Sequence, residues 1–244
     1  MVVPRFRVFA GPNGSGKSTI KGEIDPALIK MYVNADDLEK EAKATGFIDL
    51  ATFEVATTLP ELLTFHAGHY LIKNKELSDQ AKQIGLLGSK VDYRNVHVNS
   101  YLASVISDFI RQHLLEKGVN FTFETVMSHR SKVDFMKEAQ AHGYRIYLYF
   151  VSTENPAINI DRVKIRVREG GHPVASDKVR ERYYKSLGLL PEAIAVSNRA
   201  YIFDNSGDST VFLAEITDGD TLEYRTEDIP DWFFESYVDK VETT

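Results

Sequence analysis

GPNGSGKST, from Gly11 to Thr19, is the most informative motif of this sequence. It matches the phosphate-binding pattern G-x-x-x-x-G-K-[S/T] at every required position. The preceding run RFRVFA (5–10) is β-branched and aromatic, which predicts a strand, and the residues after the loop predict a helix. A strand, a glycine-rich loop and a helix in this order are the context that the pattern requires. The stretch therefore predicts a nucleotide site near the start of the chain.

Each position of this loop has a physical reason. The glycines at 11, 14 and 16 let backbone N–H groups turn inward around a phosphate without a Cβ clash. The helix that follows points its positive end at the same place. Lys17 is predicted to reach the β- and γ-phosphates, and the Ser18 hydroxyl to bind Mg²⁺. We therefore predict ATP and Mg²⁺ as cofactors, with the nucleotide held by Gly11, Pro12, Asn13, Gly14, Ser15, Gly16, Lys17, Ser18 and Thr19.

The composition excludes several classes of protein. Of the 244 residues 43% are hydrophobic, and none is cysteine. The lack of cysteine excludes disulfides, zinc thiolates and cysteine nucleophiles, and it fits a cytoplasmic setting. No apolar run approaches the roughly 18 to 20 residues that span a membrane, and the N-terminus lacks the apolar core of a signal peptide. The net charge of −6 argues against general nucleic-acid binding.

Strands alternate with helices along the rest of the chain. Apolar runs predict strands at 31–34, 120–126, 144–151 and 200–206, and helical spacing predicts helices at 100–117, 131–141, 155–169 and 176–187. TVFLAEITDGDTLEYRT predicts a hairpin that turns at Asp218 and Gly219. This order predicts an α/β fold of the P-loop NTPase type, a three-layer sandwich whose mostly parallel sheet carries a C-terminal antiparallel hairpin at its edge. We predict a single domain over 1–244, with a helical insertion at about 46–98.

Carboxylates follow two of the predicted strands, at the edge where open α/β sheets bind ligands. Asp36 and Asp37 come directly after the second strand. A carboxylate there can accept the proton of an attacking hydroxyl, and we favour Asp36 as the catalytic base. The alternative is that one of the two caps the next helix. Glu124 and Thr125 end the third strand and are predicted to bind the substrate, the alternative being a capping threonine beside a solvated glutamate.

A basic segment lies within this acidic chain. Residues 162–185 hold eight Lys or Arg against three Asp or Glu. Arg162 and Arg166 lie one turn apart on one helix, and Arg182 lies on the next helix. Two arginine-bearing helices joined by glycines predict a lid at about 155–187, which closes over the triphosphate and neutralises charge that develops during transfer. The alternative is the ordinary solvated charge of exposed helices.

Three further motifs point to structural roles or to weak binding motifs. DNS (204–206) ends the fifth strand and is interpreted as a weak base-side or turn motif. His66-x-x-His69 has a spacing that can hold a metal on a helix, but no third ligand lies nearby in sequence, so a surface or core pair is favoured. The Trp232–Phe233–Phe234 cluster predicts a C-terminal helix that docks on the core.

Taken together, the motifs resemble the zeta-toxin-like P-loop kinases, in the bacterial branch often labelled predicted ABC-type ATPase. The resemblance covers about 1–45 and 100–240 and keeps the family's motif order. Its motifs are GPNGSGKST, the N-x-D at 34–36, FET at 123–125, HGYRIYLYFV at 142–151, RVxxRVxxGGH at 162–172, RYYKSL at 182–187 and DNS at 204–206.

The resemblance implies a kinase that uses ATP and Mg²⁺ to phosphorylate a hydroxyl of UDP-N-acetylglucosamine. It also implies a small helical antitoxin that obstructs the nucleotide site. The family's aspartate base falls on Asp36 and its substrate-binding glutamate on Glu124. Its lid arginines fall on Arg162 and Arg166, and a further arginine on Arg182.

The sequence departs from the family pattern at two places, both near the expected substrate site. The 46–98 segment is longer than the family leads us to expect, and Tyr32–Val33–Asn34–Ala35 replaces an acidic run. We therefore predict a phosphotransferase with an alcohol acceptor, and UDP-N-acetylglucosamine is the acceptor that the resemblance implies. The alternatives are a kinase for another nucleotide sugar or a nucleic-acid end, and an ATP-binding switch or interaction module without turnover.

Overall fold

The computed structural model of the chain describes residues 3–171 and 173–241, and it divides into two compact units. The first unit comprises Met1–Lys30 and Phe121–Thr244, and the second Met31–Asn120. His172, which closes the GGH motif at 170–172, lies outside the described residues. That the chain forms a single domain stays a prediction.

Short strands and helices alternate through both units. In chain order the strands are β1 (Arg5–Ala10), β2 (Tyr32–Asn34), β3 (Phe47–Asp49), β4 (Gly85–Leu87), β5 (Lys90–Asp92), β6 (Phe121–Thr125), β7 (Arg145–Ser152), β8 (Arg199–Asp204), β9 (Val211–Thr217) and β10 (Thr221–Tyr224). The α-helices are α1 (Lys17–Glu23), α2 (Ala35–Thr45), α3 (Leu59–Gly68), α4 (Tyr70–Asn74), α5 (Ser78–Ala81), α6 (Ser100–Lys117), α7 (Ser131–Ala141), α8 (Pro156–Arg168), α9 (Ser176–Gly188), α10 (Leu190–Ala195), α11 (Asp231–Phe233) and α12 (Asp239–Val241). In the described part of the chain, no helix is long and apolar enough to cross a membrane.

The sheet of the first unit has the order β10-β9-β8-β7-β1-β6. Strands β6, β1, β7 and β8 are parallel to one another, whereas β9 and β10 form an antiparallel hairpin at the edge. In the hairpin loop Asp218 and Gly219 both adopt positive φ, at 51° and 84°, and the Asp220 N–H donates to the Thr217 carbonyl at 3.2 Å to close a β-turn. The predicted mostly parallel sheet with its antiparallel C-terminal edge is confirmed.

Helices cover both faces of this sheet. Phe9 of β1 stacks on Tyr149 at 4.8 Å and packs with Ile20 of α1. Phe6 of the same strand meets the edge of Phe135 in α7, with ring centroids 5.5 Å apart. Successive side chains of a strand point to opposite faces, so Phe6 and Phe9 lie on different sides of the sheet. The first unit is therefore the three-layer sandwich that the sequence predicts.

The C-terminal segment docks on the core, as the aromatic cluster predicts. Trp232 and Phe233 are buried, and the Trp232 ring lies 6.4 Å from that of Phe150 in β7. The Trp232 Nε1 donates to Oδ2 of Asp204 at 2.8 Å, which ties the segment to the end of β8. Phe234 differs from the other two, because its side chain is exposed.

The second unit contains helices together with a small sheet. Strands β3, β5 and β4 form an antiparallel sheet in that order. The segment at 46–98, predicted as a helical insertion with a loop, thus also holds three strands besides α3, α4 and α5. Each strand has only three residues, which is too short for alternation to show in the sequence.

Candidate functional site

The polar ends of four parallel strands meet at one edge of the sheet in the first unit. The phosphate loop follows β1, and Glu124 and Thr125 end the neighbouring strand β6. The register pairs Phe9 with Glu124 and Ala10 with Thr125, so these two residues flank the start of the loop. β7 and β8 end at the same edge, because both run parallel to β1. Ligands bind at this edge in open α/β sheets.

The loop backbone takes a path that only glycine can follow. Gly11, Gly14 and Gly16 have φ of 137°, 77° and 98°, in the region where a Cβ is strained. A Cβ on Gly11 would collide with the Val151 carbonyl, and one on Gly14 would lie 2.6 Å from the Asn159 carbonyl oxygen. The glycines are thus needed both for backbone turning and for close packing against neighbouring elements.

The ammonium group of Lys17 lies inside the loop. The residue is only 8% exposed, and Nζ donates to the carbonyl oxygens of Gly11 at 3.0 Å and Pro12 at 3.1 Å. Helix α1 begins at Lys17, and Ser18 and Thr19 are exposed on its first turn. The structure therefore places a positive charge beside the N-terminus of a helix, which is an arrangement that binds phosphate.

Asn205 of the DNS motif contacts the loop directly. Its Nδ2 donates to the Ser15 carbonyl oxygen at 2.8 Å, and its Oδ1 accepts from Oγ1 of Thr210 at 3.0 Å. A Cβ on Gly16 would collide with the same Nδ2. The sequence interpretation of DNS as a base-side or turn motif missed this contact, because Asn205 lies 190 residues from Ser15.

Asn159 is a second loop contact, and the sequence pattern did not single it out. It is fully buried on α8, and its Nδ2 donates to the Asn13 carbonyl oxygen at 2.8 Å. Its Oδ1 accepts from the Thr153 hydroxyl. The Tyr183 hydroxyl in turn donates to the Thr153 carbonyl at 2.6 Å, and burial raises the pKa of that phenol, so it stays a donor.

Arg162 lies beside the loop, bound to backbone carbonyls. Its Nη1 donates to the carbonyl oxygen of Asn205 at 2.5 Å and its Nη2 to that of Gly207 at 3.3 Å. Two of its five N–H donors are thus in use. Arg166 is partly buried one turn further along α8, and Arg182 is partly buried on α9.

The two helices of the predicted lid pack together, and the first of them ends at a glycine pair. Ile160, Val163 and Val179 form a small buried cluster between α8 and α9. Helix α8 ends where Gly170 adopts φ 86° and the Gly171 N–H donates to the Arg166 carbonyl at 2.9 Å. This C-terminal glycine motif satisfies carbonyls that the helix would otherwise leave unpaired. Whether the pair closes as a lid stays a prediction.

Thr125 has a local structural role. Its Oγ1 accepts from the Met127 N–H at 3.1 Å, where Met127 adopts φ 52°. The alternative interpretation of a capping threonine therefore describes this contact. Glu124 and Thr125 are both partly buried, and substrate binding by either one stays a prediction.

Asp36 lies in the second unit, exposed on the first turn of α2. The cap of this helix is Asn34, whose Oδ1 accepts from the Asp36 N–H at 2.9 Å. The alternative that Asp36 or Asp37 caps the helix is therefore wrong. An asparagine is as good a cap as an aspartate. With Asn34 as the cap, Asp36 and Asp37 lie exposed on the first turn of the helix.

The histidine pair of the second unit has separate partners. Nδ1 of His66 lies 2.8 Å from the Leu62 carbonyl oxygen, whereas Nε2 of His69 lies 3.2 Å from Oδ2 of Asp108. Within residues 3–171 and 173–241, no group of three or more His, Cys, Asp or Glu is placed to hold a metal ion. Ser18 stays the predicted metal ligand of this chain.

The sequence model of the zeta toxin family matches residues 85–217, which is more than half of the chain. The chain belongs to the zeta toxin family. The matched range begins after the phosphate loop, so the loop is evidence independent of the match. The range that matches the zeta toxin family contains the arginine-bearing helices α8 and α9 and the ends of β6, β7 and β8.

Several known proteins are similar to this zeta toxin family member, one in sequence and two in fold. An uncharacterized protein of Haemophilus influenzae is 26% identical over 175 residues, which cover 72% of this chain and 89% of that protein. A chain of AvrRxo1-ORF1:-ORF2 crystallised with ATP has a TM-score of 0.54 at 15% identity, covering 91% of this chain. A chain of the PezAT chromosomal toxin–antitoxin system of Streptococcus pneumoniae has a TM-score of 0.51 at 15% identity, covering 100% of this chain and 85% of that chain. The chain spans only 60% of the AvrRxo1-ORF1:-ORF2 chain that it matches.

Proposed function

We propose that this zeta toxin family member is an ATP-dependent kinase that transfers the γ-phosphate to a hydroxyl group. Family and fold together support a P-loop kinase in general. The observation that carries the proposal is the loop itself, in which three glycines at positive φ surround the buried ammonium of Lys17. The crystal structure of AvrRxo1-ORF1:-ORF2 with ATP adds support for the nucleotide.

The residues of the loop fit a nucleoside triphosphate and a magnesium ion. Gly11, Gly14 and Gly16 approach neighbouring elements so closely that none of them has room for a Cβ. A loop with glycine at these positions can turn its backbone N–H groups towards a phosphate. Lys17 would hold the β- and γ-phosphates. The exposed hydroxyl of Ser18 would be a ligand of Mg²⁺, which neutralises phosphate charge when bound.

The remaining roles follow the charges of the side chains. Asp36, an exposed carboxylate, would accept the proton of the acceptor hydroxyl. Arg162 and Arg166 would neutralise charge on the transferred phosphoryl group, and within the described residues Arg162 uses two of its five N–H donors on carbonyl groups. Glu124, Thr125 and Arg182 would bind the acceptor.

The acceptor that we propose is a small molecule, with UDP-N-acetylglucosamine as the first candidate from the family resemblance. The proposed partner is a small helical antitoxin-like protein, since PezAT is a toxin–antitoxin system and its chain shares this fold. The proposed setting is the cytoplasm. The net charge of −6 favours a small acceptor over a nucleic-acid end.

Mass spectrometry of UDP-N-acetylglucosamine incubated with the protein, ATP and Mg²⁺ tests this proposal. The expected result is a gain of one phosphate on the sugar nucleotide. Asp36→Asn should lower the rate by on the order of 10²- to 10⁴-fold, because general-base catalysis has about that value. Asp37→Asn is the matched control, since it removes the adjacent exposed carboxylate from the same helical turn and should change the rate little.

Each contrary result points to one alternative. Phosphate gain on another nucleotide sugar, or on an oligonucleotide 5′ end, would keep the kinase and replace the acceptor. ATP binding without transfer to any acceptor tested would favour a nucleotide-binding switch over a kinase. Equal rates for Asp36→Asn and the wild-type protein would show that another group is the base.

A further inference from the structure

Two asparagine side chains contact carbonyl groups of the phosphate loop from outside it. Asn159 of α8 donates to the Asn13 carbonyl, and Asn205, just after β8, donates to the Ser15 carbonyl, both at 2.8 Å. The two asparagines come from different elements, and the carbonyls they contact lie two residues apart. The loop is therefore held at two alternate peptide groups.

Each asparagine amide is itself held in one orientation. The Asn159 Oδ1 accepts from the Thr153 hydroxyl, and the Asn205 Oδ1 accepts from the Thr210 hydroxyl at 3.0 Å. Turning either amide over would give up this bond and place an oxygen against a loop carbonyl. The NH₂ group of each asparagine thus stays directed at the loop.

The orientation of each bound carbonyl group also fixes the orientation of the N–H group of the next residue. In a trans peptide the carbonyl of one residue and the N–H of the next point in opposite directions. A carbonyl of Asn13 directed at Asn159 therefore turns the Gly14 N–H away from α8, and a carbonyl of Ser15 directed at Asn205 turns the Gly16 N–H away from Asn205. Within the described residues neither N–H donates to another protein group, so both are available to an acceptor held by the loop.

We propose that Asn159 and Asn205 are positioning residues, which keep the N–H groups of Gly14 and Gly16 directed at the phosphates of the nucleotide. This inference rests on the proposed function, because it needs a phosphate within the loop. Direct packing supports it, since a Cβ on Gly14 would lie 2.6 Å from the Asn159 carbonyl oxygen, and one on Gly16 would collide with the Asn205 amide. Each glycine thus touches the asparagine that orients it.

Amide-resolved NMR of the ¹⁵N-labelled full chain, titrated with ATP and Mg²⁺, tests the inference. In the wild-type protein the amide proton signals of Gly14 and Gly16 should shift as they bind phosphate. Asn159→Ala should reduce the shift of Gly14 more than that of Gly16, and Asn205→Ala should do the reverse. Each variant should weaken ATP binding about tenfold, the effect expected for loss of one orienting hydrogen bond.

Asn198→Ala is the matched control. Asn198 precedes β8 at its opposite end, about 20 Å from Asn205 by strand rise. Its Oδ1 accepts from the Ile146 N–H at 2.9 Å, so this variant also loses a hydrogen bond between an asparagine side chain and the backbone, here with the side chain as acceptor. It should keep wild-type ATP affinity and wild-type glycine shifts. Thr210→Val is a milder second variant, which keeps Asn205 but removes its orienting hydroxyl and should reduce the Gly16 shift by a smaller factor.

The outcomes separate this inference from the proposed function. Wild-type affinity and glycine shifts in Asn159→Ala, Asn205→Ala and Thr210→Val would overturn the positioning role while leaving ATP binding intact. Equal losses at both glycines in both alanine variants would also overturn it, because they would indicate general disruption of the loop. No response of the wild-type loop to ATP would refute the proposed function, and this inference with it.

Discussion

His66 is fully buried in the second unit, and its Nδ1 lies 2.8 Å from the Leu62 carbonyl oxygen. Burial lowers the pKa of the imidazole to about 4, with the Leu62 bond opposing and the charge of His69 assisting the change. A histidine in an unfolded chain has a pKa of about 6.5. Between these two values the unfolded state binds a proton that the folded state does not, so the free energy of unfolding falls as the pH falls.

Lowering the pH from 7 to 5 should therefore cost on the order of 2 kcal/mol of unfolding free energy through His66. Urea denaturation at the two pH values measures this loss. His66→Leu should remove most of the pH dependence, whereas His97→Leu, which changes an exposed histidine of the same unit, should retain it. An unchanged pH dependence in His66→Leu would contradict the prediction.

Helix α8 supports the phosphate loop at two points, because it carries both Asn159 and Arg162. The guanidinium of Arg162 donates to the carbonyls of Asn205 and Gly207, the segment that also reaches the loop through the Asn205 side chain. Through Asn159 and Arg162, the first half of α8 holds the loop and the segment that follows β8. The exposed Arg168 at the end of the same helix offers a comparison.

Arg162→Ala should weaken ATP binding about tenfold or more, because charged hydrogen bonds that order the 205–207 segment are lost. The ATP affinity of Arg162→Lys should lie between those of Arg162→Ala and the wild type, because one ammonium group cannot reach both carbonyls as a planar guanidinium does. Calorimetric titration with ATP and Mg²⁺ measures both. Arg168→Ala should stay within about twofold of the wild type, and an equal effect of the two alanine variants would argue that helix charge alone is responsible.

At the scale of the whole molecule, the nucleotide and the folded first unit are linked by mass action. A ligand that binds only the native state at about 100 times its Kd adds roughly 2.7 kcal/mol of stability. ATP with Mg²⁺ at that concentration should therefore raise the melting temperature of the first unit by roughly 5 to 10 °C. Differential scanning calorimetry measures the rise. Lys17→Met should abolish it, and the same rise in that variant would contradict the role of the loop lysine.

Much of the fold can be predicted because its signals are local. Helices α6 and α7 occupy the ranges that apolar spacing predicts, and Gly118 ends α6 with φ 68°. The hairpin turn at Asp218 and Gly219 likewise follows from two residues that tolerate positive φ. The strands β3, β4 and β5 could not be predicted, because a strand of three residues is too short to show a periodic pattern. These strands are defined by their backbone hydrogen bonds to one another in the folded chain.

The sequence by itself determined the phosphate loop, the alternation of strands and helices, and the arginine-bearing helices. Each of these is a preference of neighbouring residues: glycine for positive φ, and apolar periodicity for one face of an element. The contacts that Asn159 and Asn205 make with the loop, from 146 and 190 residues away, follow from the folded structure and not from any local pattern. The physical reason is that a contact between distant residues depends on strand register and helix packing, which bring side chains together without leaving any local pattern.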